Sequence, residues 1–286
     1  MSSHASPADL KINPRDFRID RTASSPRWWV GGDPAGTAVM NALSLTFPDG
    51  ERFFIRSVRR FEKDAPDALR AAIRDFVVQE GAHTREHLAF NAHVEASGYD
   101  VSGPMALIDA HMARANGREP IAQLSITVAL EHFTAAFAHV LLAHPQVLAG
   151  SPAHLARLWR WHAIEEIEHK GVAYDLLMHV LADVSPLRRW AIRRRTMFLV
   201  TLSFLSTVHK ASLLMMRQDG ITGLEARWKL FRWLWLKPGL YRLVLSDYLS
   251  FYRPGFHPWR KDDRGLIAEA EADLAIACPF TPGAVP

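Results

Sequence analysis

Apolar positions recur at three- and four-residue intervals along most of this chain and almost nowhere alternate, so the sequence predicts helices and no strands. Phe53, Phe54, Val58 and Phe61 set one helix over about 49–63, closed by Asp64-Ala65-Pro66-Asp67. Leu69, Ile73, Phe76, Val77, Leu88 and Phe90 set a longer one over about 67–97, which ends at Gly98. Gly98, Gly103, Pro104 and Gly117 frame a short helix within 98–119, a stretch long enough to cross a bundle. Further helices are expected over about 120–143, 152–182 and 187–217, and the aromatic-rich remainder up to Trp259 reads as helical in pieces. Residues 1–26 are polar and carry no period, so they are expected to form a mobile arm. Trp28 to Val30 and the run 38–47 lead through irregular structure into a short helix, which Pro48-Asp49-Gly50 interrupts.

Composition narrows the class. With 49% hydrophobic and 22% charged residues in 286, the chain is globular and long enough for one large domain or a core with an elaborated end. The division expected is an arm over 1–37, a metal-binding helical bundle over 38–185 and a helical extension over 186–286 packed on it. A net charge of +4 is too small to imply nucleic acid unless it is clustered. It is partly clustered, because Arg188, Arg189, Arg193, Arg194 and Arg195 directly precede the apolar stretch 196–216. That stretch reaches the length of a membrane span, but His209 and Lys210 sit inside it, and a helix packed on the fold with a polar stripe is the better reading. The first twenty residues contain no apolar core of a secretion signal, and a cytoplasmic setting is expected. The single cysteine, Cys278, excludes an internal disulfide and a cysteine-based metal site, which turns attention to the fourteen histidines and the carboxylates.

Two helices carry a Glu-x-x-His pair, Glu80/His83 and Glu166/His169, and residues three apart share a helix face, so each pair can chelate one ion. Such a pair is common by chance, and specificity must come from placement. In ferritin-like bundles the helix before each pair supplies one more carboxylate at the same height. Antiparallel helices meet level when their residues are equidistant from the loop. Glu51 and Glu80 each lie about 15 residues from a loop centre near 65–66, and Glu131 and Glu166 lie about 17 and 18 from one near 148. Glu62 is too near its turn. A buried Glu without a partner costs several kcal/mol, so four of them facing one core point to cations. The expected fold is therefore an all-α, ferritin-like four-helix bundle with additional C-terminal helices.

The segments FPDGERFFIRSVRRFEKDAPD, QEGAHTREHLAFN, LEHF, WHAIEEIEHKGVAYDL and YRPGFHPW together resemble the bacterial family of predicted metal-dependent hydrolases, over about 38–260. The pattern is more distantly similar to ribonucleotide reductase small subunits and other di-iron carboxylate proteins. The resemblance implies Glu51, Glu80, His83, Glu131, Glu166 and His169 as metal ligands. Glu51 is the least secure of the six, since it opens its predicted helix, where a carboxylate also suits the helix dipole.

His87 and His162 each stand one turn from a Glu-x-x-His pair, on its face, and are candidate catalytic residues, either as extra ligands, as proton shuttles or as partners holding a carboxylate. Glu86, Glu165 and Glu168 are expected to face outward, and His132 to pack. His83-x-x-Glu86-His87 also fits the inverted zinc-protease pattern, but that leaves the second Glu-x-x-His pair unexplained. No nucleophile elbow or phosphate-binding loop is present. A dinuclear carboxylate/His site admits two chemistries. The ligand set favours two iron ions and an oxygenase or oxidase acting on an apolar small molecule, with manganese as the alternative metal. Hydrolysis at two metals, or at zinc, is the other. Iron storage is disfavoured by the chain's length. The cation- and aromatic-rich segment 227–259 has the composition of a membrane interface or of a cover over an apolar tunnel, so peripheral membrane contact through 188–259 is an expectation, as is a homodimer. Nucleic acid is not expected as a partner. Nothing in the spacing places His257.

Overall fold

The computed structural model describes residues 6–7 and 9–277, and among them every regular element is helical, as the periodicity predicts. Cys278 lies outside the described residues. The first helix, α1, spans Pro34–Arg59; Asp33 caps it by accepting from the backbone N–H groups of Ala35 and Gly36, and Pro34 occupies its first turn. It runs unbroken through Pro48, where a break was expected. Proline removes the N–H that would bond the carbonyl four residues back, and that carbonyl, Ser44 O, accepts from Asn91 Nδ2 at 3.3 Å instead. A side chain from the neighbouring helix thus supplies what Pro48 lacks. Glu51 consequently lies inside a long helix and is buried, so the first-turn reading of this residue falls.

The other helices are α2 (Asp67–Ala96), α3 (Ser102–Asn116), α4 (Pro120–Ala143), α5 (Ala153–His169), α6 (Val172–Val180), α7 (Pro186–Gln218), α8 (Gly223–Phe231), α9 (Leu240–Ser250) and α10 (Arg264–Ala277). A π-helical turn, Arg232–Leu236, continues α8. The helix expected over 152–182 is two, because the chain breaks at Lys170-Gly171. A Cβ at Gly171 would stand 2.2 Å from Ser6 Oγ and 3.0 Å from the Trp259 ring, so the break lies where the N-terminal segment and a C-terminal turn both press on the backbone.

Helix α1 packs on α2, α4 packs on α5, and α2–α5 and α1–α4 contacts close a four-helix group. Its interior is filled by Phe53, Phe76, Phe90, Leu124, Leu158, Trp161 and Ile164, each buried, and each such side chain contributes about 1.5–3 kcal/mol by leaving water. Helix α7 lies against α1, α3 and α4, α9 against α4, and α10 against α5. The N-terminal segment is not a free arm. The backbone N–H groups of Asn13, Arg15 and Ile19 donate to Glu168, Glu165 and Glu86 at 3.2, 2.8 and 2.8 Å, and Phe17 stacks on Trp161 with centroids 4.9 Å apart. Glu86, Glu165 and Glu168, expected to face outward, are all buried beneath this segment. A polar stretch without a period is indistinguishable from a loose tail until the carboxylates that capture its backbone are known.

Candidate metal centre

Glu51 comes from α1, Glu80 and His83 from α2, Glu131 from α4, and Glu166 and His169 from α5; all six are buried, at 3% exposure or less. They converge. His169 Nε2 lies 3.3 Å from Glu80 Oε1 and 3.5 Å from both Glu131 Oε2 and Glu166 Oε2, while His83 Nδ1 lies 3.5 Å from Glu166 Oε1 and 3.8 Å from Glu80 Oε2. Three sets of side chains bring ligand atoms within 4.8 Å of one another and could each hold an ion: Glu80, Glu131 and His169; Glu80, His83 and Glu166; and Glu51, His83 and His162. Glu80 belongs to two of these sets and could bridge two ions.

Eight of these six residues' polar atoms have no hydrogen-bond partner: Glu51 Oε1, both oxygens of Glu80, His83 Nδ1, both oxygens of Glu131, Glu166 Oε2 and His169 Nε2. They are eight of only thirteen such buried side-chain atoms among the described residues. Orphaned buried polar atoms are expensive and therefore rare, and here they share one volume. The donor set, four carboxylates and two imidazoles, suits divalent ions of the iron and manganese kind, so the residues fit a metal.

Electrostatics without the ion tells the same story. Burial and then the facing Glu80 push Glu51 well above the usual carboxylate range, burial and the same neighbour do so for Glu131, and burial raises Glu80 itself. Burial would raise Glu166 too, but His169, His162 and His83 around it hold it well below that range. Burial alone would lower His83, yet the hydrogen bond to Glu165 and the nearby Glu166 and Glu80 carboxylates bring it well above an ordinary imidazole. Burial thus favours the neutral form of Glu51, Glu80 and Glu131, a penalty that a cation placed among them would offset.

Each histidine is aimed from behind. Glu165 Oε2 accepts from His83 Nε2 at 3.0 Å, which leaves Nδ1 to face the cluster, and Gln79 Oε1 accepts from His169 Nδ1 at 3.0 Å, which leaves Nε2 free. Gln79 in turn donates from Nε2 to Glu168 at 2.8 Å. Both lines end on Arg15, whose guanidinium reaches Glu168 at 2.6 Å and Glu165 at 3.4 Å. Thr84 donates to Glu51 Oε2 at 2.8 Å and fixes that carboxylate. Arg15, Gln79, Thr84, Glu165 and Glu168 escaped the sequence reading. The run Glu165-Glu166-Ile167-Glu168-His169 holds the one available signal, since a core-facing helix seldom carries three carboxylates without partners for each.

His162 Nε2 meets Glu166 Oε1 at 2.8 Å, His162 Nδ1 meets His87 Nε2 at 2.6 Å, and His87 Nδ1 meets Ser44 Oγ at 2.8 Å. Ionised Glu166 only accepts, so His162 donates from Nε2 and takes the His87 Nε2 proton at Nδ1. Burial, with His83 nearby, lowers His162 to about 4, and burial with His162 nearby lowers His87 well below its ordinary value, so both rings are neutral near pH 7. Glu86 is turned away: Arg85 Nε and the Ile19 backbone N–H donate to it at 2.5 and 2.8 Å, and it shares no candidate ion with His83 and His87. The inverted zinc-protease pattern is therefore not assembled. His132 packs on Phe251 and Phe256, as expected, and His257 stands apart from the cluster, bonded to Asp175 at 2.9 Å.

The class that fold and cluster define is an all-α protein with a buried carboxylate and histidine centre able to hold metal. The chain belongs to the family described as predicted metal-dependent hydrolase, whose pattern it matches over residues 13–262. No curated protein and no solved structure matches it. Membership favours the hydrolytic alternative over the oxygen chemistry read first from the ligand set.

Proposed function

We propose that Glu51, Glu80, His83, Glu131, Glu166 and His169 hold two divalent metal ions in a ferritin-like centre and that the loaded protein hydrolyses an apolar substrate. The eight unpartnered buried atoms on these six residues carry this reading. When bound, two such ions would supply Lewis acidity and would make water nucleophilic near neutral pH. The chain's own residues do the rest. Glu80, placed between His83 and His169, would contribute to holding both ions. Neutral His162, which donates from Nε2 to Glu166 and is held at Nδ1 by His87, fixes the orientation of that carboxylate.

Two apolar cavities end at Glu166. One is lined by Phe54, Ile108, Met112, Leu130 and Phe204 and also reaches Glu51; the other is lined by Met40, Leu43, Phe137, Leu141 and Trp159 and reaches His162. Phe47 and Thr134 stand between them and line both. This apolar lining supports an apolar substrate. The test is cleavage of a panel of hydrophobic esters and phosphates by the manganese- or zinc-loaded protein under strict anaerobiosis. Activity lost in Glu80→Ala and Glu166→Ala supports hydrolysis, and inactivity of the loaded wild type against the whole panel refutes it. The carboxylate-rich ligand set favours a second reading, an oxidase or oxygenase with two irons. In that case anaerobically reduced, iron-loaded protein develops a transient visible absorption on mixing with air, and the same two substitutions abolish it.

A further inference from the structure

We propose that the surface made by α7, α8 and α9 docks on an anionic lipid bilayer and that the apolar substrate is drawn from that bilayer. The second clause rests on the hydrolytic reading above; the first does not.

Charge is divided very unevenly along the chain. From Pro186 to Ser250 there are twelve Lys and Arg against three Asp and Glu, so a chain of net charge +4 is net negative everywhere else taken together. Exposed apolar bulk is divided in the same way, with eleven of fifteen exposed large hydrophobic residues lying between Leu187 and Leu249. On α8 and its π-helical continuation they fall at Leu224, Trp228, Phe231 and Trp235, a spacing of four, three and four that makes one stripe, and Trp228 stacks on Phe231 at 5.7 Å. Arg227, Lys229 and Arg232 are interleaved with that stripe. Phe198 and Leu202, 54% and 56% exposed, form a similar step on α7 beside exposed Arg194 and Arg195.

Helix α7 is long and apolar enough to span a bilayer, as is α4, but α4's apolar window is 61% buried and α7's only 39%. Helix α4 is a core helix that carries Glu131. Helix α7 packs on α1, α3, α4 and α8 and exposes Leu187, Phe198, Leu199 and Leu202, a pattern suited to a helix lying in an interface and not crossing it. Aromatic rings among Lys and Arg suit the headgroup layer, where the ring sits at the acyl boundary and the cation meets lipid phosphate. A second copy of the chain is the poorer occupant, because a two-fold contact would set this cationic surface against itself.

The same helices form the outer wall of the candidate site. Phe204 and Thr207 of α7 line the cavity that ends at Glu51 and Glu166, and Thr207 also lines a surface groove with Leu199 and Leu202. Leu240 at the start of α9 lines the cavity that ends at His162. A lipid chain entering past α7 would meet the metal centre without crossing water.

The experiment is co-sedimentation of the metal-loaded, full-length protein with vesicles of phosphatidylcholine alone or mixed equally with phosphatidylglycerol. Binding is expected on the mixed vesicles, at least tenfold weaker on the neutral ones, and weakened by salt. The double variant Trp228→Glu/Phe231→Glu should bind at least tenfold more weakly with its melting temperature and metal content unchanged, because both residues are exposed. In that variant, cleavage of a long-chain ester embedded in vesicles should fall while cleavage of a soluble short-chain ester persists. No binding to the mixed vesicles, or a dimer in sedimentation equilibrium that the double variant splits, would overturn the docking proposal and leave the metal reading untouched.

Discussion

Arg15 is the most exacting test of how the centre is built, because it lies far from the Glu-x-x-His pairs in sequence and touches no candidate ligand. Its side chain is 10% exposed and bonds Glu165 and Glu168, which are 0% and 3% exposed, and through them governs His83 directly and His169 by way of Gln79. Arg15→Ala strips the only described cation from two buried carboxylates within reach of the cluster. Leaving one partner of a buried ion pair uncompensated costs about 3–5 kcal/mol. The folding free energy should therefore fall by that amount in urea titration, and fall further than in Arg18→Ala, whose side chain is 51% exposed. The second consequence concerns metal. Loss of the groups that orient a ligating histidine lowers affinity by about 10–100-fold, or about 1.4–2.7 kcal/mol. Competition against a chelator reads this directly, and Arg15→Lys, which keeps the charge and loses the fork, should recover stability more than affinity. An Arg15→Ala protein with wild-type stability and wild-type metal affinity would refute the two relays.

Three other outcomes follow from the same geometry. Glu131→Gln should stabilise the metal-free protein, because the carboxyl is held protonated by burial, and should destabilise the metal-loaded one; melting curves with and without manganese must shift in opposite directions. His132, lowered to about 4 by burial, is neutral when folded and takes up a proton on unfolding below about pH 6.5. Its contribution is thus complete above about pH 6.5 and lost progressively as the pH falls toward 4, worth about 3 kcal/mol; denaturant midpoints of wild type and His132→Phe should converge on acidification. Gly171→Ala should cost about 1–3 kcal/mol in thermal unfolding, since its Cβ would collide with Ser6 and Trp259.

The helices were legible because their apolar period is long and their ends carry turn formers, and the six clustered residues because level placement across a hairpin is a matter of counting. Glu51 shows the limit of such counting. Pro48 and Gly50 read as a helix start, and only Asn91, more than forty residues away, explains how α1 continues through them. Lys170-Gly171 shows the reverse error, since a break forced by Ser6 and Trp259 leaves no local sign except one glycine. The buried partners of the histidines were missed for one reason. Glu165, Glu168 and Glu86 look solvent-facing until the N-terminal segment covers them, and that segment docks through backbone N–H groups and two isolated side chains, Arg15 and Phe17, that form no period.

Elemental analysis of the purified protein, quantified against its concentration, tests the central claim most directly. Two divalent ions per chain are expected after loading with iron or manganese, both lost in Glu80→Ala because that carboxylate faces both histidines, and with His83→Ala and His169→Ala each lowering occupancy. A chain that binds no metal, or one whose metal content is unchanged by Glu80→Ala and Glu166→Ala, would contradict it.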